Sequence, residues 1–299
     1  MIRANRSIRL ARVAAATAVA ALALAGCSQI PSSDNTTACE PTTAFAVERS
    51  GGGSGPMVTD DGVAVLTVTL VDAAGEVIVE NEPVSPGQDG KPSPIRVAAL
   101  QPGIIDLTRC ATTGETVSAA VTNTQLFGEE YVAQTGLPAD DQQHLTVTVN
   151  KVYHSAASGR IAPQLSGIPA VVNAPGGGVG VTMPKEAAPT ELRKALTIEG
   201  FGAPIADGDL VVTHLSTFTW SDGTAHYSSW DEPGAVPYVA ATALDNFYGA
   251  AAQLVGVPIG SQVVVVVPAA QIQQQPGPFG PMFGNGDAVV FVFDVLGTL

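Results

Sequence analysis

Side chains that could carry out acid, base, metal or nucleophilic chemistry are scattered along this 299-residue chain. Its four histidines form no i,i+4 pair and have no carboxylate at the spacing of a metal site. They are His144, His154, His214 and His226. No G-x-S-x-G sequence marks a serine nucleophile, and the acidic residues are dispersed rather than paired. We therefore expect no metal, no cofactor and no acid–base mechanism.

The first 26 residues have the pattern of a secretory signal peptide. Four arginines precede Val13–Ala25, an apolar run that is shorter than the ~20 residues needed to span a bilayer. The run ends in Leu24-Ala25-Gly26-Cys27, which resembles the bacterial lipobox. That resemblance implies cleavage before Cys27, lipid attachment to its sulfur and anchoring outside the cytoplasm. A plain signal peptide with a chance cysteine is the alternative.

Charge excludes one class of partner. Without residues 1–26 the chain carries 9 basic and 27 acidic residues, a net charge of −18. Such a surface repels nucleic acid and anionic lipid headgroups. We therefore expect no nucleic-acid binding, and contact with the membrane through the N-terminal lipid only.

Two further cysteines, Cys39 and Cys110, are candidates for a disulfide. Outside the cytoplasm such a pair persists in the oxidised form. Closing a loop of this length contributes about 4 kcal/mol in the chain-entropy model. Two buried free thiols are the alternative.

Composition divides the remaining chain into four predicted parts. Residues 27–58, which contain SGGGSG, are expected to be a flexible tether, and residues 154–189, which contain APGGGVG, a linker. Between and after them, residues 59–153 and 190–299 hold the alternating β-branched segments of two strand-rich domains. The second domain also has one short helical pattern, Ala243–Leu254, weakened by Gly249.

The two domains have the pattern of a tandem repeat. Aligning Gly114 with Gly260 also aligns Gly103 with Gly249 without a gap. In each copy a strand follows the second glycine, then a loop and a closing strand. We therefore expect one supersecondary unit to occur twice.

The second copy resembles the FKBP-type peptidyl-prolyl isomerases. Leu254–Pro268 is similar to the G-M-x-V-G element and the strand after it, and Val289–Leu296 is similar to the closing strand. Upstream, Val211–Trp230 looks like the family's strand–turn–strand. These segments span about 90 residues, and the first copy matches more faintly. A secreted, lipid-anchored pair of such domains also looks like an actinobacterial arrangement.

The resemblance implies an α+β, mostly β fold. Each of two FKBP-like domains would be an antiparallel, curled sheet around one short helix, with an apolar pocket for a proline ring between them. Catalysis there needs no acid or base, because rotation about the X-Pro bond is limited by the loss of amide resonance. The aromatic walls of the pocket are therefore the test of function.

The resemblance also implies a set of site residues. The catalytic candidates are Tyr227, Tyr238, Phe247, Gln273 and Phe291. The pocket candidates are His226, Asn246, Ala250, Phe279 and Phe283. Several depart from the family pattern: Ala250 stands where the family has a floor tryptophan, and Gln273 stands for a tyrosine. His226-Tyr227 stands for the family's F-D, so the usual carboxylate is absent.

Two functions follow as expectations. The first is a monomeric peptidyl-prolyl isomerase that assists the folding of proline-containing exported polypeptides. The second is a binding or chaperone module that kept the fold and lost turnover. A purely structural β-rich lipoprotein is a third and weaker interpretation.

Overall fold

The computed structural model describes residues 39–175, 177–231, 234, 236, 238–240, 246–274 and 287–299. Within them, a first sheet has the strand order β1-β5-β6-β2-β3, and β4 pairs with β2. Its strands are β1 (Glu48–Gly51), β2 (Val63–Asp72), β3 (Val77–Pro83), β4 (Ile95–Arg96), β5 (Glu115–Thr122) and β6 (Gln142–Tyr153). Its helices are a 3-10 turn (Val97–Ala99), α1 (Pro102–Thr108), α2 (Asn123–Phe127) and α3 (Glu129–Thr135).

A second sheet has the order β12-β11-β15-β14-β10-β7, and β13 pairs with β11. Its strands are β7 (Gly159–Ile161), β10 (Arg193–Gly200), β11 (Leu210–Thr219), β12 (Ala225–Ser228), β13 (Tyr238–Ala240), β14 (Gln262–Val267) and β15 (Val289–Thr298). A separate hairpin pairs β8 (Ala170–Asn173) with β9 (Val179–Thr182). The helical segments are two 3-10 turns (Asn246–Gly249 and Ala251–Leu254) and α4 (Ala269–Gln274).

The two sheets repeat one topology, which confirms the tandem unit and the mostly β fold. Strands β1, β5, β6, β2, β3 and β4 correspond in order and pairing to β10, β14, β15, β11, β12 and β13. The aligned glycines Gly114 and Gly260 both have positive φ, 83° and 91°, and lie one residue before β5 and two residues before β14. The repeat therefore preserves the backbone turn that delivers each of these strands.

Strand β14 is buried on both faces, which explains its five consecutive valines. Val263, Val265 and Val267 lie in an apolar cluster with the 3-10 turns, which we call the inner cluster. Val264 and Val266 lie in a second cluster on the opposite face of the sheet, the outer cluster. The β8–β9 hairpin covers that face with Val171, Val179 and Val181. A strand without a solvent face has no need of alternating polar residues.

The segments expected to be a tether and a linker contribute ordered strands. Strand β1 pairs with β5, and a Cβ on Gly51 would lie 2.7 Å from the carbonyl oxygen of Gly114. Gly51 of SGGGSG is therefore needed for close backbone approach. Strand β7 pairs with β10, and the β8–β9 hairpin covers the second sheet. The limits predicted for the two domains stay predictions, but each sheet draws strands from outside them.

The helix expected at Ala243–Leu254 is shorter and tighter in its described part. Residues 241–245 lie outside the described residues. From Asn246 onward the chain forms two 3-10 turns, interrupted by positive φ at Phe247 (53°) and Tyr248 (55°). Left-handed backbone at residues with side chains ends a helix. The first domain has a regular α1 at this place and two further short helices, α2 and α3.

The two domains pack against each other through the outer side of the first sheet. Val63, Val65 and Tyr153 of the first domain form one apolar cluster with Val212 and Leu296 of the second. Polar contacts flank this cluster. The Arg96 guanidinium donates to the carbonyl oxygen of Trp230 at 2.7 Å, and the Tyr153 hydroxyl donates to that of Thr298 at 3.2 Å.

A buried histidine lies beneath the Arg96 contact. The ring of His214 stacks on Trp230 at 3.7 Å between centroids, and its Nδ1 lies 3.0 Å from the Ser229 hydroxyl. Burial, together with the positive charge of Arg96, lowers the pKa of His214 to about 3. His214 is therefore neutral in the folded protein at physiological pH.

The structure confirms the disulfide between Cys39 and Cys110, with Cα atoms 5.6 Å apart and a sequence separation of 71. We predict that replacing both cysteines with serine lowers the free energy of unfolding by about 4 kcal/mol, because the unfolded chain regains the entropy of that loop. Denaturant unfolding with and without reductant measures the difference. An equal loss of unfolding free energy in the serine variant without reductant and in the reduced parent protein supports the disulfide as the origin. If neither loses stability, the prediction is contradicted.

A second prediction concerns the buried carboxyl of Asp294. Its oxygens accept from the Ala157 N–H at 3.0 Å and from Gln262 Nε2 at 2.8 Å, yet burial raises its pKa to about 6. A raised pKa favours the neutral form, so this contribution to stability is full below about pH 4 and is lost as the pH rises through 6. We expect Asp294→Asn to flatten the pH dependence of the unfolding free energy between pH 4 and 7, by up to about 3 kcal/mol.

The matched control is Glu80→Gln on exposed strand β3, which makes the same change in net charge. Urea unfolding at several pH values gives the slopes. Parallel curves for the Asp294→Asn variant and the parent protein would contradict the prediction.

Candidate functional site

An aromatic group lies between the second sheet and the 3-10 turns. The ring of Phe247 meets those of Phe291 and Phe293 edge-on, with centroids 6.0 and 6.1 Å away. Phe291 and Phe293 are adjacent on one face of β15, with centroids 6.2 Å apart. Tyr227 of β12 packs against the same inner cluster. The structure thus brings together three of the predicted catalytic residues, Phe247, Phe291 and Tyr227.

Of this aromatic group only Phe247 and Tyr227 reach solvent, and we call these two residues the aromatic rim. Phe291 and Phe293 are completely buried, whereas Phe247 and Tyr227 are partly exposed. A ligand arriving from outside would therefore contact Phe247 and Tyr227 first. Phe291 itself has no exposed surface to offer such a ligand.

The predicted floor residue Ala250 is fully buried, and a neighbouring aromatic is buried with it. Tyr248 is 3% exposed and belongs to the same inner cluster. Phe247 and Tyr248 have left-handed backbone and so depart from a helical path. The left-handed conformation costs about 1–2 kcal/mol per residue. We predict that Tyr248 supplies the aromatic volume that an alanine floor lacks.

Sequence reasoning missed Tyr248. An alanine in place of a large ring, two residues after a tyrosine, was the available signal. It could not predict which way Tyr248 points, because a regular helix would not place it with Ala250.

Helix α4 accounts for the glutamines that follow the valine strand. Gln271 donates from Nε2 to the carbonyl oxygen of Tyr248 at 2.7 Å and so fixes the left-handed turn. Ile272 is buried in the inner cluster, whereas Gln273 is exposed. One residue is about 100° of helical rotation, so Ile272 facing inward turns Gln273 outward. The structure does not bring Gln273 to the aromatic group.

His226 lies beside Tyr227 at an irregularity in the pairing of β11 with β12. Its Nε2 is paired with the hydroxyl of Thr219 across the two strands. His226 thus contributes to strand pairing at the edge of the sheet, next to the aromatic rim.

The remaining predicted pocket residues lie at or beyond the edge of the described chain. Phe279 and Phe283 lie outside the described residues. Only the backbone of Tyr238, in β13, and of Asn246, in the first 3-10 turn, is described. Cys27 also lies outside the described residues, so the lipid attachment stays a prediction.

The corresponding place in the first domain is closed by helix packing. A Cβ on Gly103 in α1 would lie 2.7 Å from the Cα of Leu126 in α2, so these two helices touch through their backbones. Ile104, at the floor position, is 7% exposed. Phe127 packs on Tyr131 with centroids 5.2 Å apart. The first copy thus has a buried floor position, while Phe127 is partly exposed and Tyr131 is 44% exposed.

Two further observations concern only the described part of the chain. No group of three or more histidine, cysteine, aspartate or glutamate side chains there could hold a metal ion. None of the helices described is long and apolar enough to cross a membrane.

Solved structures offer distant similarity. The three FKBP domains of wheat FKBP73 are similar over 85% of this chain and 94% of theirs, with 13% identity and a TM-score of 0.34. FkpA from Escherichia coli is similar over 40% of this chain and 53% of its own, with 16% identity and a TM-score of 0.30. The N-terminal domain of FKBP42 from Arabidopsis thaliana is similar over 47% and 99%, with 13% identity and a TM-score of 0.32.

These solved structures are all FKBP-type proteins, the family that the sequence resembles. No protein-family profile matches this chain, and no curated protein matches it either. Similarity at these identities and TM-scores supports no statement about activity, which therefore depends on the site itself.

The buried floor generates a third prediction. If Tyr248 fills the space beside Ala250, then Ala250→Trp overpacks the inner cluster and lowers the free energy of unfolding by about 1–3 kcal/mol. Val255→Trp, at a 37% exposed position of the same segment, is the control and should stay within about 0.5 kcal/mol of the parent. Thermal and urea unfolding measure both. An Ala250→Trp variant as stable as the parent would mean that the floor is a hollow.

Proposed function

We propose that the second domain is a peptidyl-prolyl isomerase site that binds proline-containing segments of exported polypeptides. The observation that carries this proposal is the partly exposed ring of Phe247, held edge-on against Phe291 between sheet and 3-10 turn. Phe247 and Tyr227 together offer an apolar, aromatic surface of the kind that grips a pyrrolidine ring.

The chemistry fits a site without acids or bases. Rotation about the X-Pro bond breaks amide resonance, with a barrier of ~18–20 kcal/mol. The twisted amide has less charge separation than the planar one, so an environment that excludes water favours it. The inner cluster beneath Phe247 consists of valine, leucine, isoleucine, alanine and phenylalanine side chains together with Tyr248, which is such an environment.

One observation favours a second candidate, binding without turnover. Phe291 and Ala250 have no exposed surface, and Gln273 is exposed away from the aromatic group. A ligand would then rest on Phe247 and Tyr227 without enclosure, and the amide would stay solvated. Such a site would hold an unfolded polypeptide without accelerating its isomerisation.

The proposed location is outside the cytoplasm, with a lipid on Cys27. The apolar run before Leu24-Ala25-Gly26-Cys27 supports it, and so does the disulfide between Cys39 and Cys110, because such bonds persist in oxidising compartments. Proline-containing polypeptides that fold after export are the proposed partners.

The fourth prediction tests the aromatic rim. In the soluble chain of residues 28–299, which includes every described residue, Phe247→Ala should lower kcat/KM for a proline peptide at least tenfold, about 1.4 kcal/mol, because it removes the accessible wall. Phe201→Ala removes a phenylalanine that is 84% exposed and serves as the matched control, with no change expected. A proline-isomerisation assay and peptide titration by calorimetry measure turnover and affinity separately.

The outcomes separate the two candidates. Turnover by the parent protein that falls in the Phe247→Ala variant supports the isomerase. Saturable peptide binding without rate enhancement, lost in the same variant, supports the binding module. A folded parent protein that neither binds nor turns over proline peptides contradicts both.

A further inference from the structure

A cleft of about 760 Å³ lies between the two domains, away from the aromatic rim. Strands β2 and β6 of the first domain form one side, and the start of β11 and the end of the chain form the other. Its lining residues include Val65, Lys151, Tyr153, Leu210 and Leu299. The volume lies within the range of about 300–1,000 Å³ in which proteins bind small organic ligands.

The cleft contains a partly buried lysine without an acidic partner. Lys151 donates from Nζ to the carbonyl oxygen of Thr298 and lies 5.1 Å above the centre of the Tyr153 ring. Burial lowers the pKa of Lys151, and no carboxylate offsets this loss of hydration. Among the ion pairs that the described residues form, none includes Lys151.

That arrangement is unusual in so acidic a protein. The chain outside residues 1–26 has 27 acidic residues and only 9 basic ones. Two of its four lysines, Lys91 and Lys151, line this one cleft. Lys91 lies at the exposed edge and is paired with Asp89 at 3.3 Å, whereas Lys151 forms no ion pair with a described side chain. An ammonium with donors to spare in a partly apolar cleft attracts an anion more strongly than one in water.

The walls of the cleft are partly apolar where they meet solvent, beside the exposed polar side chains of Gln88, Asp89 and Asn150. Leu210 is 42% exposed and Leu299 is 48% exposed, and both side chains line the cleft. Val65 and Tyr153 continue this apolar surface inward, where they are 7% and 3% exposed. A ligand for this cleft therefore needs a charged end for Lys151 and an apolar body for the leucines.

We propose that this cleft binds a carboxylate attached to an apolar body, with Lys151 as the anchor of the carboxylate. An acyl chain with a free carboxylate has this chemistry, and so does the C-terminus of an apolar peptide. The site is independent of the function proposed for the aromatic rim, because the two share no residue.

Calorimetric titration of the soluble chain with decanoate, and with an apolar peptide carrying a free or an amidated C-terminus, tests the proposal. We expect saturable binding of at least one free carboxylate, with decanol and the amidated peptide binding at least tenfold more weakly. Lys151→Gln should weaken the binding at least tenfold. Binding of decanoate alone identifies an acyl ligand, and binding of the free peptide alone identifies a polypeptide terminus.

Lys194→Gln is the matched control. Lys194 is more exposed than Lys151, but burial also lowers its pKa and it also donates to a backbone carbonyl, that of Gln253 at 2.8 Å; it does not line the cleft. Binding that is equal in the Lys151→Gln variant and the parent overturns the proposal, and so does the absence of saturable binding of any free carboxylate.

A measurement on the parent protein covers the case in which the Lys151→Gln variant fails to fold. Because burial lowers the pKa of Lys151, carboxylate affinity should fall as the pH rises through the alkaline range, and the fall should begin at a lower pH than the titration of exposed lysines. A pH-independent affinity over that range would also overturn the proposal.

Discussion

The central strands of the second sheet, β14 and β15, are buried on both faces, and the rest of that domain is arranged around this burial. On one face their valines and phenylalanines need the 3-10 turns and Tyr248. On the other they need the β8–β9 hairpin. Apolar area removed from water stabilises by about 25 cal/mol per Å², so leaving either face bare would be costly. The segment between the domains is therefore structural cover.

The same strand topology supports two different local arrangements. In the first domain, Gly103 lets α1 touch α2 and the helix stays regular. In the second, Gly249 has a φ of 82° and follows two left-handed residues, so the chain tightens into 3-10 turns and directs Tyr248 inward. Duplication preserved the strands, whose pairing constrains them, and allowed the connecting segments to diverge. The contact of Phe247 with Phe291 and Phe293 belongs to the copy with the irregular turn.

Strand patterns and the repeat were predictable because they depend on residues close together in the chain. Alternating side chains identify β2, and two pairs of glycines at one spacing align the copies. The same spacing carries Arg193–Gly200 of β10 back onto the region of Glu48–Gly51, so extending the repeat would have found β1. The hairpin over the outer cluster was not predictable, since its glycines resemble those of a linker. The direction of Tyr248 depends on two backbone angles and on Gln271 from a later helix, which no local pattern encodes.

The bond between Cys39 and Cys110 also limits how far this protein could reach from a membrane. If Cys27 carries a lipid as proposed, roughly 12 residues separate the acyl group from the first covalently fastened point of the folded body. A fully extended segment of this length spans no more than about 40 Å. The folded domains would then be confined to a thin layer above the bilayer. Polypeptides would meet it there as they emerge, and those that diffuse away would be out of range.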